Sequence, residues 1–322
     1  MNCKYCNEDL TPFMFLDGFK FCPFCGTGLN GERRTTADKS VSNIINSAVP
    51  PANLLTINAF NTNFELIKCP AGKFLMGSPE DELGRSDNEA QHEVTIASDF
   101  HIGRFPVTQA QFEAVTKKNP SCYTGPNNPV DSVNWHQAKD FCLRLNEATV
   151  NSRPAGYLFD LPTEAQWEYA CRANTTTSLN SGKNICYRVT SCPNLDELGW
   201  YEYNAFYKTH PVGQKKPNSW GIYDMHGNLS EWCRDYYLEN YLPPNADPDG
   251  QDPHAQRVTR NASFRMPPSL CRSAYRFYSN SYSQGGEHTF RLALVKSNKL
   301  TVFFKKGEAP NEPSHWLRRD DD

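Results

Sequence analysis

The chain lacks most of the features that announce a function class. No apolar run approaches the roughly 20 residues that a membrane-crossing helix needs, so a membrane protein is not expected. Formal charge is nearly balanced at −3, which argues against a polycation built to grip nucleic acid. There is no P-loop, dinucleotide fingerprint or Ser/His/Asp set. The 8 histidines include no i,i+3 or i,i+4 pair that would place two ligands on one helix face. His92, His136 and His226 read as structural or surface histidines. A signal peptide is not expected, because Pro12 to Phe21 is interrupted by Asp17 and Lys20. The expectation is a cytoplasmic protein that binds neither membrane nor nucleic acid.

Cysteine, by contrast, is abundant at 12 residues. Cys3-x-x-Cys6 and Cys22-x-x-Cys25 are separated by 15 residues, the spacing of a tetrathiolate zinc ribbon. Each pair sets two sulfurs on one short knuckle, with Pro23 and Gly26 supplying turn chemistry. A pair of redox dithiols is the alternative, but no βαβ pattern surrounds them. Four thiolates leave no open coordination position, so the zinc would be structural. It would supply on the order of 10 kcal/mol of folding free energy to a segment too small for its own core. Such a ribbon suits contact with another protein. The other eight cysteines show no metal spacing. Cys142 and Cys171 sit at apolar helical positions and read as buried thiols, while Cys186 and Cys192 are close enough in sequence to close a small loop under oxidation.

With 322 residues there is room for one large domain and a small appendage. The expected division is ribbon 1–30, polar linker 31–58, main domain 59–298 and tail 299–322, with a possible strand at Leu300 to Phe304. Three capping boxes mark helix starts: Thr108 with Gln111, Asn134 with Gln137, and Thr163 with Gln166. Each precedes an apolar period of 3.6 residues: Phe112 and Val115, then Ala138, Phe141, Cys142 and Leu145, then Trp167, Ala170 and Cys171. Beyond Asn174 the chain is rich in Gly, Pro, Asn and aromatic residues, and Trp200, Trp220 and Trp232 are candidates to stiffen it by burial.

One stretch carries the most information: Gly221-Ile-Tyr-Asp-Met-His-Gly-Asn-Leu-Ser-Glu-Trp-Cys-Arg234. Asp224 and Glu231 bracket Gly227 and Leu229, whose carbonyls can face inward on a Gly-Asn turn. Two carboxylates plus main-chain oxygens form a ligand set for Ca²⁺; on chemistry alone, a surface turn with solvated acids serves as well. Together with Thr209-His-Pro-Val-Gly-Gln-Lys-Lys-Pro-Asn-Ser-Trp220, the stretch resembles the signature of the formylglycine-generating-enzyme (sulfatase-modifying factor) superfamily. Gly72 to Pro79, Phe105 to Phe112, Pro129 to Trp135 and Leu161 to Ala170 are similar to further landmarks of that family, in the right order. The resemblance implies an α+β, irregular, loop-rich C-type-lectin-like fold and favours the calcium reading.

The resemblance also implies candidate chemistry. Family enzymes oxidise a substrate cysteine with O₂ at Cu(I) held by two cysteines of the C-terminal segment, as suits a soft ion. Here that segment, Arg260 to Arg276, contains Cys271 alone. A second enzymatic branch uses a three-histidine iron centre, for which no histidine set is present. Catalysis is therefore not expected, and an oxidase built on Cys271 is the alternative. Instead, Tyr275, Phe277, Tyr278 and Tyr282 alternate with Ser279, Asn280, Ser281, Ser283, Gly285 and Gly286, a composition like that of antibody paratopes. Arg257 to Arg260, Cys271 to Arg276 and Phe290 to Leu294 resemble the frame of variable proteins diversified by retroelements, over about residues 257–294. That resemblance implies a frame of Arg260, Arg272, Ser273, Arg276 and Arg291. It also implies a displayed set of Phe264, Arg265, Tyr275, Phe277, Tyr278, Tyr282 and His288 facing a protein or other macromolecular ligand. Asn261-Ala262 stands where that family has Gly-Gly, and Thr289 where it has Gly, so local backbone differences are expected there.

Overall fold

Residues 53–186, 191–241 and 256–297 are described in a computed structural model of the chain. The ribbon cysteines Cys3, Cys6, Cys22 and Cys25 and the strand expected at Leu300 to Phe304 lie outside those residues. Strand β1 (Leu54–Ala59) begins ahead of the boundary expected at residue 59 and pairs antiparallel with β2 (Thr62–Cys69). Phe60 and Asn61 join them, both left-handed at φ 53° and 57°. Two successive positive φ angles make a type I′ hairpin turn. Its usual sequence sign is Asn-Gly or Asp-Gly, and Phe-Asn hides it.

These strands belong to a five-stranded antiparallel sheet with β5 (Phe100–Gly103), β13 (Ala293–Lys296) and β6 (Tyr157–Asp160), in the order β1-β2-β5-β13-β6. The last of the described strands, β13, is therefore inserted between two earlier ones, so the C-terminal segment is tied into the centre of the sheet. Both faces of the sheet are covered. Along β2, Phe64 and Leu66 enter one apolar cluster while Ile67 and Cys69 enter the other, following the strand's two-residue period.

Helices α1 (Gln109–Thr116) and α2 (Trp135–Ala148) cover the first face. There Phe141 stacks on Phe112 and meets Phe64 and Phe290 edge-on. Each such ring buried in full contributes about 1.5–3 kcal/mol. Helix α3 (Glu164–Arg172) packs on the second face through Trp167, Ala170 and Cys171. All three capping boxes form with both reciprocal bonds. Left-handed residues stop α1 at Lys117 and α3 at Ala173.

A second sheet carries the C-terminal segment. Its order is β11 (Arg276–Asn280), β10 (Gln256–Arg260), β9 (Ser230–Tyr236) and β12 (His288–Thr289), with β12 parallel to β9 and β11 at an edge. Among the described residues, two small pairs, β3 (Gly72–Met76) with β4 (His92–Ile96) and β7 (Gly199–Trp200) with β8 (His226–Gly227), the short α4 (Pro193–Asp196) and a 3₁₀ turn (Pro268–Leu270) complete the regular structure. The rest of the described residues form loops, as expected of an α+β, irregular architecture. Trp232 is fully buried, its indole donating to the Val133 carbonyl. Trp200 and Trp220 are only half-buried; Trp200, the last residue of β7, lies between the His210 ring and the Lys215 ammonium. Among the described residues no helix is long and apolar enough to cross a membrane.

Candidate functional site

The C-terminal segment divides sharply into anchored and displayed side chains. Arg260, at the end of β10, is fully buried and donates to Glu164, Glu168 and the Ser273 carbonyl. Arg276 opens β11, gripping both oxygens of Glu164 and reaching the carbonyls of Asn88, Leu238 and Glu239. Arg272 holds Glu89 in a two-bond fork and adds Glu82. Arg291, just before β13, does the same with Glu231 at 2.6 and 2.7 Å. Ser273 is buried among these groups and donates to the Ser178 carbonyl.

Buried charges are tolerated only when paired and hydrogen-bonded. At Glu168, burial opposes ionisation, but Arg172 and Arg260 outweigh it and hold the carboxyl below the usual carboxylate range. Asp235 has no such partner among the described residues: burial, then the nearby Glu164, push its carboxyl up to about 7. Its Oδ2 accepts the Glu164 N–H at the start of α3.

Part of the displayed set lies on and around edge strand β11, whereas His288 sits in β12 at the opposite edge of the sheet and Arg265 beside Tyr123. Phe277 is 50% exposed and Tyr282 38%, while Tyr275 and Tyr278 are half-buried. Their rings form a row: Tyr278 lies 4.4 Å from Tyr237, Phe277 5.1 Å from Tyr278, and Tyr275 6.4 Å from Phe277. Tyr282 packs on His136, and exposed Arg265 donates to the Tyr123 hydroxyl. His288 is half-buried, stacked on Trp232. Phe264 does not belong to the displayed set: it is fully buried against Leu229, Ala205 and Tyr123, with its N–H bonded to the Asn228 carbonyl. Tyr237, Tyr123 and His136 were not expected there. They come from distant segments, and no local pattern marks them.

The residues expected to bind calcium are close together but engaged elsewhere. Both Glu231 oxygens take Arg291, and one also accepts the Trp167 indole N–H at 2.8 Å. The Gly227 and Leu229 carbonyls do face inward, but they accept from the side-chain amide of Asn261 at 2.8 and 3.2 Å. Asp224 accepts the Gly213 N–H through Oδ2, and burial pushes its carboxyl up to about 6. A hard cation needs oxygens free to turn toward it; with a guanidinium and an amide already in place, this set does not fit Ca²⁺.

Cys271 is buried in a cluster that also contains Cys186 and Cys192, whereas Cys233 belongs to a different cluster. Burial pushes the Cys271 thiol well up, and its hydrogen faces the Pro267 carbonyl. The Cys186 and Cys192 sulfurs are 2.9 Å apart. His226 is a satisfied core residue, with Nδ1 on the Cys271 carbonyl and Nε2 on the Asn180 N–H.

A family profile, the sulfatase-modifying factor enzyme 1-like domain, matches residues 52–296, spanning both sheets and the anchored arginines. The chain belongs to that family. Its fold is accordingly the C-type-lectin-like α+β fold of the family, as the sequence resemblance implied. Among solved structures it is similar to PvdO from Pseudomonas aeruginosa (TM-score 0.64, 26% identity, 77% of this chain and 99% of that one). It is equally similar to Treponema denticola variable protein 1 (TM-score 0.64, 26% identity, 74% and 98%). Among sequence relatives, the chaperone protein LppX of Paenibacillus barcinonensis is 32% identical over 46% of this chain and 66% of its own length. The formylglycine-generating enzyme of Streptomyces coelicolor is 27% identical over 70% and 88%. This sulfatase-modifying-factor-type domain therefore has both enzymes and a variable protein among its relatives.

Proposed function

We propose that the protein is a non-catalytic binder that presents the β11 aromatic row, Tyr282, Arg265 and His288 to a protein or other macromolecular ligand. The observation that carries this reading is the partition within one segment. Arg260, Arg272, Arg276 and Arg291 are locked to buried glutamates, while Phe277 and Tyr282 stand exposed on the same stretch. Substituting the exposed set leaves the anchors untouched, which is what a diversified surface requires. The likeness to a variable protein supports it further. Rigid aromatics provide contact area at low entropic cost, and Arg265 adds a charged, multiply donating group. The zinc ribbon, read from cysteine spacing, would tether this domain to another protein in the cytoplasm.

The second reading, a copper- and O₂-dependent thiol oxidase, draws on the enzymes among the relatives. Against it stands Cys271, a buried thiol that burial keeps protonated. Two assays on the full chain separate the readings. Copper-loaded protein is expected to show no O₂ uptake with a cysteine-containing peptide beyond that of a Cys271→Ser control; Cys271-dependent uptake would establish the oxidase. Affinity capture from the host is expected to lose its specific partner with Phe277→Ala/Tyr278→Ala/Tyr282→Ala. Capture that survives all three changes would remove the aromatic row from the binding site.

A further inference from the structure

The turn between β8 and β9 is built to converge oxygens. Asp224, Gly227 and Asn228 all have positive φ, at 57°, 81° and 68°. As a result the carbonyls of Asp224, Gly227 and Leu229 aim at one point. Three inward carbonyls repel one another and need a shared positive partner. At that point sits the Asn261 amide nitrogen, 3.1, 2.8 and 3.2 Å from the three oxygens. The other end of the same amide accepts the N–H groups of Gly227 and Ala262 at 2.5 and 2.9 Å. Asn261 reaches inward because its own φ is +70°, a conformation Asn tolerates better than most residues.

Full positive charge comes from next door, where Arg291 bonds Glu231 and the Tyr223 carbonyl. Asp224 retains one buried oxygen, Oδ1, without a hydrogen-bond partner among the described residues. The arrangement is an oxygen cage in which a side-chain amide occupies the centre. We infer that Asn261 is a built-in replacement for a divalent cation, and that the platform beneath the displayed segment is fixed without Ca²⁺. Because Asn261 follows β10 directly, the segment carries its own central ligand and organises the β8–β9 turn as it folds. This inference does not depend on what the displayed face binds.

The test compares desalted full-length wild type, Asn261→Asp and Asn261→Gly for retained calcium and for melting temperature with and without millimolar CaCl₂. In Asn261→Asp the donor becomes a carboxylate facing three carbonyls, so the cage lacks a positive centre until a cation enters. Asn261→Gly keeps the positive φ at no steric cost and opens the centre. Wild type is expected to retain no calcium and to melt at the same temperature in both buffers. At least one variant is expected to melt lower without calcium and to regain about 4 °C or more with it, binding one ion per chain. If Asn261→Asp fails to fold, Asn261→Gly decides. Stoichiometric calcium on the wild type, or calcium silence in every folded variant, overturns the inference.

Discussion

Replacing Glu231 by Gln isolates the energetics of the anchored frame. Both partners of the Glu231–Arg291 pair are wholly buried, and two charge-assisted bonds of 2.6 and 2.7 Å join them. Gln keeps the shape and one acceptor but removes the negative charge, leaving the guanidinium buried opposite a neutral amide. Breaking a buried pair from one side is expected to cost about 3–5 kcal/mol. For a domain of this size each kcal/mol shifts the melting temperature by roughly 2–4 °C, so a fall of about 6–20 °C is expected. The Arg144–Asp140 pair on α2 is half exposed, and Arg144→Ala should cost only about 0.3–0.5 kcal/mol. Urea unfolding of the two variants, followed by tryptophan fluorescence, gives both numbers. A Glu231→Gln loss as small as that of Arg144→Ala would refute the claim that the frame is electrostatically locked. A loss that disappears in calcium-free buffer would show that Glu231 works through a metal after all.

Three further outcomes follow from the same geometry. The folded-state pKa of Asp235, about 7, lies above its unfolded value near 4, so the folded form binds the extra proton. Stability should therefore fall as pH rises from about 4 to 7, by up to about 1.4 kcal/mol per unit from this group, and Asp235→Asn should remove that slope in a pH series of urea melts. Phe264→Ala should cost about 3–5 kcal/mol as a core truncation, whereas exposed Phe277→Ala should stay within about 0.5 kcal/mol; equal losses would contradict the division between anchored and displayed residues. Mild thiol oxidation should join Cys186 to Cys192 and leave buried Cys271 reduced, as peptide mapping would reveal, because among the described cysteines it is Cys186 and Cys192 whose sulfurs are in near contact.

The legible parts of this chain are those written in local chemistry. Three capping boxes announced three helices, because a cap and its partner three residues on are read from four consecutive letters. The anchored arginines were also legible, through family resemblance rather than through any rule of spacing. Their glutamates were not: Glu164 and Glu168 of α3 lie about a hundred positions from Arg260 and Arg276, and only the fold brings them together. The β1–β2 hairpin was hidden because Phe60 occupies a left-handed position that Asn or Gly usually marks.

Phe264 was misplaced for a related reason. Composition shows that a loop is aromatic but not which rings turn inward, and Leu229 and Tyr123 cover this one. The three missing glycines, at 261, 262 and 289, had unequal consequences, and Ala262 has no positive φ. Asn261 takes the positive φ that Gly would have taken, while Thr289 sits in β12 with no such need. Asp224, Gly227, Leu229 and Glu231 read in sequence as a calcium ligand set, and their oxygens are engaged by other groups of the protein. What fills the space between them comes from Asn261 and Arg291, remote in sequence, and that converts an apparent metal site into a hydrogen-bonded one.

The most direct test of the account is deep sequencing of this gene segment across sister copies and clonal lineages of the host. Binding by a diversified surface predicts substitutions concentrated at Arg265, Tyr275, Phe277, Tyr278, Tyr282 and His288, with Arg260, Arg272, Arg276 and Arg291 invariant. A segment identical in every copy, or changes falling equally on the anchored arginines, would contradict it.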